Sequence, residues 1–318
     1  MFTVRRIGHL VRYGYFHEMN NGVLGSGVVV FLMACNGGPL PLETRNVPRE
    51  TRNAHYTLIV PAQPKALLVL FPGFGQDAAD TRAESKITDE AVGRGVAVLL
   101  MEFNRHLFLS DAETSALVYT LGRVIGAEMP GVPRVFLGGY SSGGNVAVLL
   151  AKWLARAPDA RITLKGVFVV DSPLDLASLY PIWQKHAISG MTEGARGEGA
   201  MVVALLDSTL GPPTDSFPNY QRYAPVTTDP ASVAPLTGLA IRLYTEPDTA
   251  WWRINRGDRY ADMNACYLEK LEVELKVAGA TKVEYIPTQG CGFQHGMRHP
   301  HAWSIVEEKD LVRWVLEE

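Results

Sequence analysis

Seven short apolar runs constrain this chain more than anything else in it. They are HYTLIV (55–60), ALLVLF (66–71), VAVLLM (96–101), RVFLGG (134–139), GVFVVD (166–171), LAIRLY (239–244) and KVEYIP (282–287). Most are rich in Val, Leu, Ile and Phe, without the polar–apolar alternation of a half-exposed strand. Strands covered on both faces read this way. Between several of them, at 110–126, 145–157, 260–278 and 304–316, apolar residues recur at spacings of three and four, the period of a helix. Alternating strand and helix predicts an α/β chain with a mostly parallel central sheet and helices on both faces. With 318 residues, 47% of them hydrophobic and 20% charged, the chain can bury the core of one large domain.

One interval breaks the rhythm. Residues 172–238 separate two strands by far more than a strand-to-helix connection needs. The interval holds Tyr180, Trp183, Phe217, Tyr220 and Tyr223, clustered prolines and the glycine-rich GARGEG (194–199). A long insertion at the C-terminal edge of a parallel sheet reads as a lid or pocket wall.

The N-terminus obeys different rules. Arg5, Arg6 and Arg12 precede VLGSGVVVFLMA (23–34), which is too short to cross a bilayer but suits the apolar core of a secretory signal. Leu32-Met33-Ala34-Cys35 resembles the bacterial lipobox, which implies lipidation at Cys35 and an envelope location, anchored or periplasmic. The competing reading is an N-terminal core segment with a chance cysteine, in a cytoplasmic protein. Residues 35–53 read as linker, which leaves 54–318 as the folded domain. A net charge of -3 and scattered basic residues exclude a nucleic-acid partner. Three cysteines, without zinc-finger spacing, exclude a disulfide scaffold and a structural zinc site.

The sharpest local signal is GGYSSGGN (138–145), directly after an apolar run and directly before a helical one. G-x-S-x-G fits only with Ser141 at its centre, because centring on Ser142 puts Tyr140 where glycine is required. A serine on a tight strand-to-helix bend needs small neighbours two places away on either side. The same letters could form a simple glycine-rich turn, but neither G-x-G-x-x-G nor a Walker lysine is in register.

This elbow and the strand pattern resemble the α/β-hydrolase family over residues 54–318. The resemblance implies that Ser141 is a nucleophile, with an acid and a histidine following in chain order. After the run 239–244 stands Thr245-Glu246-Pro247-Asp248, which meets the family's usual spacing with Asp248 as the acid; Glu246 and Asp171 are its rivals. Three histidines, His295, His299 and His301, precede the last helix. His301-Ala302-Trp303 matches the family's pattern there, with Ser304 as N-cap and Glu307 completing a capping box, while His295 stays open. Cys291 lies close to these histidines, but no carboxylate partner marks a metal site, and neither metal nor organic cofactor is expected. By the same resemblance, Phe71-Pro72-Gly73-Phe74-Gly75-Gln76 supplies an oxyanion donor from the Phe74 N–H, and Ser142 supplies the other. The HGGG form of the hormone-sensitive-lipase branch is absent. Together these features imply a serine esterase acting on a small carboxylic ester. An acyltransferase and a non-catalytic surface lipoprotein are the alternatives.

Overall fold

The computed structural model describes residues 47–131, 134–227 and 230–318. The expected signal segment 1–34, Cys35 and most of the expected linker lie outside the described residues. The strands are β1 (Arg49–Arg52), β2 (Tyr56–Val60), β3 (Ala66–Phe71), β4 (Val96–Met101), β5 (Arg134–Tyr140), β6 (Thr163–Val170), β7 (Ala240–Thr245), β8 (Val283–Pro287), β9 (Phe293–Gln294) and β10 (Met297–Arg298). The helices are α1 (Ala78–Glu84), α2 (Ile87–Gly93), α3 (Asp111–Glu128), α4 (Ser142–Arg156), α5 (Leu176–Ser189), α6 (Glu193–Thr209), α7 (Pro213–Tyr223), α8 (Thr249–Asn255), α9 (Asn264–Val277) and α10 (Glu308–Glu317).

Strands β1 to β8 form one sheet in the order β1-β2-β4-β3-β5-β6-β7-β8. From β4 to β8 all neighbours pair in parallel, while β1 and β2 add an antiparallel edge. All seven apolar runs became strands of this sheet. Strand β1, with the sequence RETR, lies inside the stretch expected to be linker. Its side chains are mostly exposed, so it lacks the apolar signature and is held by its backbone register with β2.

Alternate residues of each strand enter separate cores. Leu67, Val69, Val135, Leu137, Val167 and Val169 pack with α3, α4 and α9 on one face. Leu68, Leu70, Phe136, Phe168 and Val170 pack with α2 and α10 on the other. Helix α3 begins where Ser110 and Glu113 form a reciprocal capping box. Helix α10 begins later than the expected N-cap at Ser304: Glu307 caps it, accepting from the Asp310 N–H, and Trp303–Ile305 forms a separate 3-10 turn.

The insertion after β6 folds as α5, α6 and α7 around a core of its own, with Leu179, Tyr180, Trp183, Leu206 and Tyr220 buried together. The GARGEG stretch lies in the first turns of α6. The three helices form a cap beside the C-terminal ends of the parallel strands, where ligand sites of open α/β sheets form.

Candidate active site

Ser141 follows the last residue of β5 and caps α4 with φ 52° and ψ -126°. A non-glycine residue in such backbone costs about 1–3 kcal/mol and persists only where its surroundings over-determine it. Here the Ser141 N–H donates to the Val170 carbonyl (2.9 Å) and its own carbonyl accepts from Gly144 N–H (3.0 Å). Small neighbours are a steric requirement. A Cβ placed on Gly139 would lie 2.2 Å from the Gly143 backbone, and one on Gly143 would lie 2.3 Å from the Phe71 carbonyl oxygen. Ser141, Ser142, Gly73, Phe74 and His301 line one cavity of about 350 Å³. The Gly73 carbonyl accepts from Gln76 N–H (3.0 Å), which closes a tight turn with Phe74 and Gly75 at its centre.

The carboxylate facing His301 is Asp171, at the end of β6. The His301 Nδ1–H donates to Asp171 Oδ2 at 2.6 Å, and Thr245 Oγ1 donates to Asp171 Oδ1 at 2.7 Å. Asp171 is 3% exposed, and its own φ is +46°. Its main chain is fixed at both ends: its N–H donates to the Tyr244 carbonyl (2.8 Å), and its carbonyl accepts from Asn264 Nδ2 (2.8 Å). A carboxylate on Nδ1 directs the free electron pair of the imidazole to Nε2, the tautomer a general base requires.

Asp248, which the family's spacing favours as the acid, does not meet His301 in the structure. Asp248 caps α8, accepting from Trp251 N–H (2.9 Å), and its other oxygen accepts from Arg298 (2.8 Å). Glu246 is not beside the histidine ring either. Its buried carboxylate accepts from the N–H groups of Gly290 (2.7 Å), Cys291 (3.0 Å) and Gly292 (2.6 Å) and pairs with Arg298. The two carboxylates of the TEPD motif are taken up in building the loop that leads to the histidine.

The histidines separate as clearly. His295 sits in the β9–β10 turn with its side chain 73% exposed, 3.6 Å from Glu84. His299 lies against Trp251 (ring centroids 4.7 Å apart), and its Nδ1–H donates to the His301 carbonyl (2.9 Å). Burial first, and the neighbouring His301 second, hold His299 below the ordinary imidazole range. Cys291 is exposed, and among the described residues no group of three or more His, Cys, Asp or Glu side chains is disposed to hold a metal.

Sequence reasoning missed Tyr140, the variable letter before the serine. Its hydroxyl donates to the same His301 carbonyl (2.8 Å), and its ring packs 4.7 Å from the His301 ring and 5.6 Å from Trp303. Burial above all, with the Asp171 charge behind it, pushes the phenol well above its usual range, so it remains a donor. Trp183 and Trp252 line the cavity, whereas Tyr180 and Tyr220 belong to the cap's own core.

No family model and no curated protein matches the chain. Solved structures do. The chain is similar to carboxyl esterase 2 of the mycorrhizal fungus Tuber melanosporum, with TM-score 0.57 and 12% identity over 88% of this chain and 92% of that one. It is also similar to an esterase of the bacterial hormone-sensitive lipase family, with TM-score 0.52 and 16% identity over 87% and 85%. A mutant of the esterase rPPE gives TM-score 0.53 and 15% identity over 85% and 80%. At such identities a likeness speaks of architecture. With the strand order, the parallel core and the bend at Ser141, it establishes that this chain has the α/β-hydrolase fold.

Proposed function

We propose that the protein is a serine hydrolase of carboxylic esters. Ser141 is the nucleophile, His301 the general base and then acid, and Asp171 the group that orients His301. The amides of Phe74 and Ser142 receive the developing oxyanion. His301 Nε2 takes the proton of Ser141 as its oxygen attacks the ester carbonyl. It then gives that proton to the leaving alcohol as the C–O bond breaks. Water, deprotonated by the same imidazole, attacks the acyl-enzyme, and Ser141 leaves with the proton. Asp171 stays ionised throughout and stabilises the imidazolium. The reading rests above all on one observation: a serine in strained backbone opens on the same cavity as a histidine held by a buried carboxylate. Its further support is that the structural neighbours are named as esterases, which favours esters over other acyl compounds.

A fluorophosphonate probe tests the reading directly. Wild type is expected to be labelled, and Ser141→Ala to lose both the label and p-nitrophenyl ester hydrolysis by roughly 10⁴-fold or more. Equal labelling of folded Ser141→Ala removes the nucleophile and with it the proposal. For Cys35 we infer attachment to a membrane by lipidation, and release of Cys35→Ser into the soluble fraction is the matching test.

A further inference from the structure

The turn that carries the proposed oxyanion donor is held by a side chain that the acyl-transfer steps leave without a role. In Gly73-Phe74-Gly75-Gln76 the turn's own hydrogen bond runs from the Gln76 N–H to the Gly73 carbonyl, and Gly75, at the third position, has φ 83°. Positive φ at that position suits glycine. Gln76 then reaches back, and its Oε1 accepts from the Gly73 N–H at 3.2 Å. Its main-chain carbonyl accepts from Asn104 Nδ2, on the loop after β4, at 2.5 Å. These bonds engage the amides of Gly73 and Gln76 but not that of Phe74. A trans peptide is planar, so fixing the Gly73 carbonyl also fixes the direction of the Phe74 N–H on the other side of the same bond. Gly73, Phe74 and Gln76 all line the cavity.

A primary amide can be turned either way round, and Glu84 decides which. Gln76 Nε2 donates to Glu84 Oε2 at 2.9 Å. A carboxylate only accepts, so the NH₂ of Gln76 faces it and Oε1 is left for Gly73. Glu84 is an odd residue for its place. It closes α1, where the helix dipole disfavours a negative charge, and its side chain is only 9% exposed. Its ionic partner among the described residues is His295, 3.6 Å away and 73% exposed, and a pair so exposed contributes little. A nearly buried carboxylate at the wrong end of a helix points to a duty outside that helix. Space around the turn is just as closely set. A Cβ on Gly73 would lie 2.8 Å from Tyr140 Cδ1 and 2.9 Å from Gln76 Oε1, so the Gly73 main chain lies against both.

From this relay we infer that Gln76, oriented by Glu84, is a positioning residue for the oxyanion. It holds the Gly73–Phe74 peptide so that the Phe74 N–H meets the charge that develops in the transition state. The inference rests on the esterase reading, which supplies that charge. A misdirected donor weakens the bond to a full oxyanion far more than the bond to the ground-state carbonyl, so the loss belongs in kcat rather than KM.

The test follows p-nitrophenyl ester hydrolysis together with inhibition by an aryl trifluoromethyl ketone. Ser141 adds to the ketone carbonyl, its proton passes to His301, and the hemiketal oxygen is left as a stable oxyanion. Gln76→Met keeps the length of the side chain and removes both polar atoms. Its kcat is expected to fall by roughly tenfold to a hundredfold with KM within about threefold of wild type, and the ketone's affinity to fall by a similar factor. Glu84→Leu, which frees the Gln76 amide to turn over, is expected to follow Gln76→Met. Glu84→Gln, whose amide oxygen still accepts from Gln76, is expected to stay within about threefold of wild type. The inference is overturned if folded Gln76→Met keeps wild-type kcat, if its loss appears in KM alone, or if it binds the ketone as tightly as wild type does. Should Gln76→Met not fold, the two Glu84 variants decide, and equal kcat in both overturns it. In each of these cases an active wild type leaves the esterase reading standing. A wild type that hydrolyses no ester removes both.

Discussion

The ends of β6 and β7 lie side by side in the sheet, and each carries acid groups at the same edge. What surrounds them differs. Past β6, Asp171 receives a hydroxyl and an imidazole, Thr245 and His301. Past β7, Glu246 receives three main-chain amides, a guanidinium and, at 3.5 Å, the Thr288 hydroxyl, and Asp248 receives a helix N-terminus and the same guanidinium. Under the proposed mechanism, an imidazole that shuttles a proton makes its carboxylate part of the reaction. Amides and arginine, which keep their protons, make it part of a scaffold. The role of an acid is therefore set by its donors and not by its strand.

The largest expected effect tests the β6 side. Asp171→Asn keeps the shape but presents an amide to Nδ1, which favours the wrong tautomer of His301, and kcat is expected to fall by about 10⁴-fold. Steady-state ester hydrolysis measures this directly. A loss of only a few fold would leave the two strand ends equivalent and break the comparison.

Next comes the β7 side, where the expected loss is one of stability. Glu246 is 2% exposed, and five donor residues converge on its carboxylate. Glu246→Gln puts an NH₂ where an N–H already points and strips Arg298 of a buried partner. Breaking a buried pair from one side typically costs about 3–5 kcal/mol, to be read from denaturant unfolding. Stability near wild type with activity abolished would instead mark Glu246 as a reacting group.

This contrast also explains what the sequence could and could not show. Strands covered on both faces must be apolar throughout, so β2 to β8 were legible as runs; β1, whose side chains are mostly exposed, carries no such mark. The bend at Ser141 was legible because a side chain on Gly139 would strike the backbone of Gly143, four residues on, a requirement that shows locally as glycine. The carboxylate that meets His301 was legible only as one of three candidates. Asp248 has the expected spacing after its strand, but spacing does not reveal that Arg298, fifty residues on, occupies it. Nor does it reveal that Thr245, the first letter of the TEPD motif, donates to a carboxylate on the neighbouring strand. Tyr140 was hidden for a related reason: its partner is a main-chain carbonyl at the far end of the chain, which leaves no trace in residue type.

The smallest effect is the most discriminating, because it concerns the residue that spacing favoured. Asp248→Ala removes the N-cap of α8 and one half-exposed ion pair with Arg298. The cap contributes about 1 kcal/mol and the pair at most about as much again, so unfolding should shift only modestly. Trp252 on α8 and Arg256 at its C-terminal end both line the cavity, so any kinetic change should appear in KM before kcat. His301 keeps its donor role toward Asp171, so kcat should stay within a few fold of wild type. A collapse of kcat comparable to that of Asp171→Asn, with little loss of stability, would mean that His301 changes partners during turnover. It would move the catalytic acid back to the end of β7.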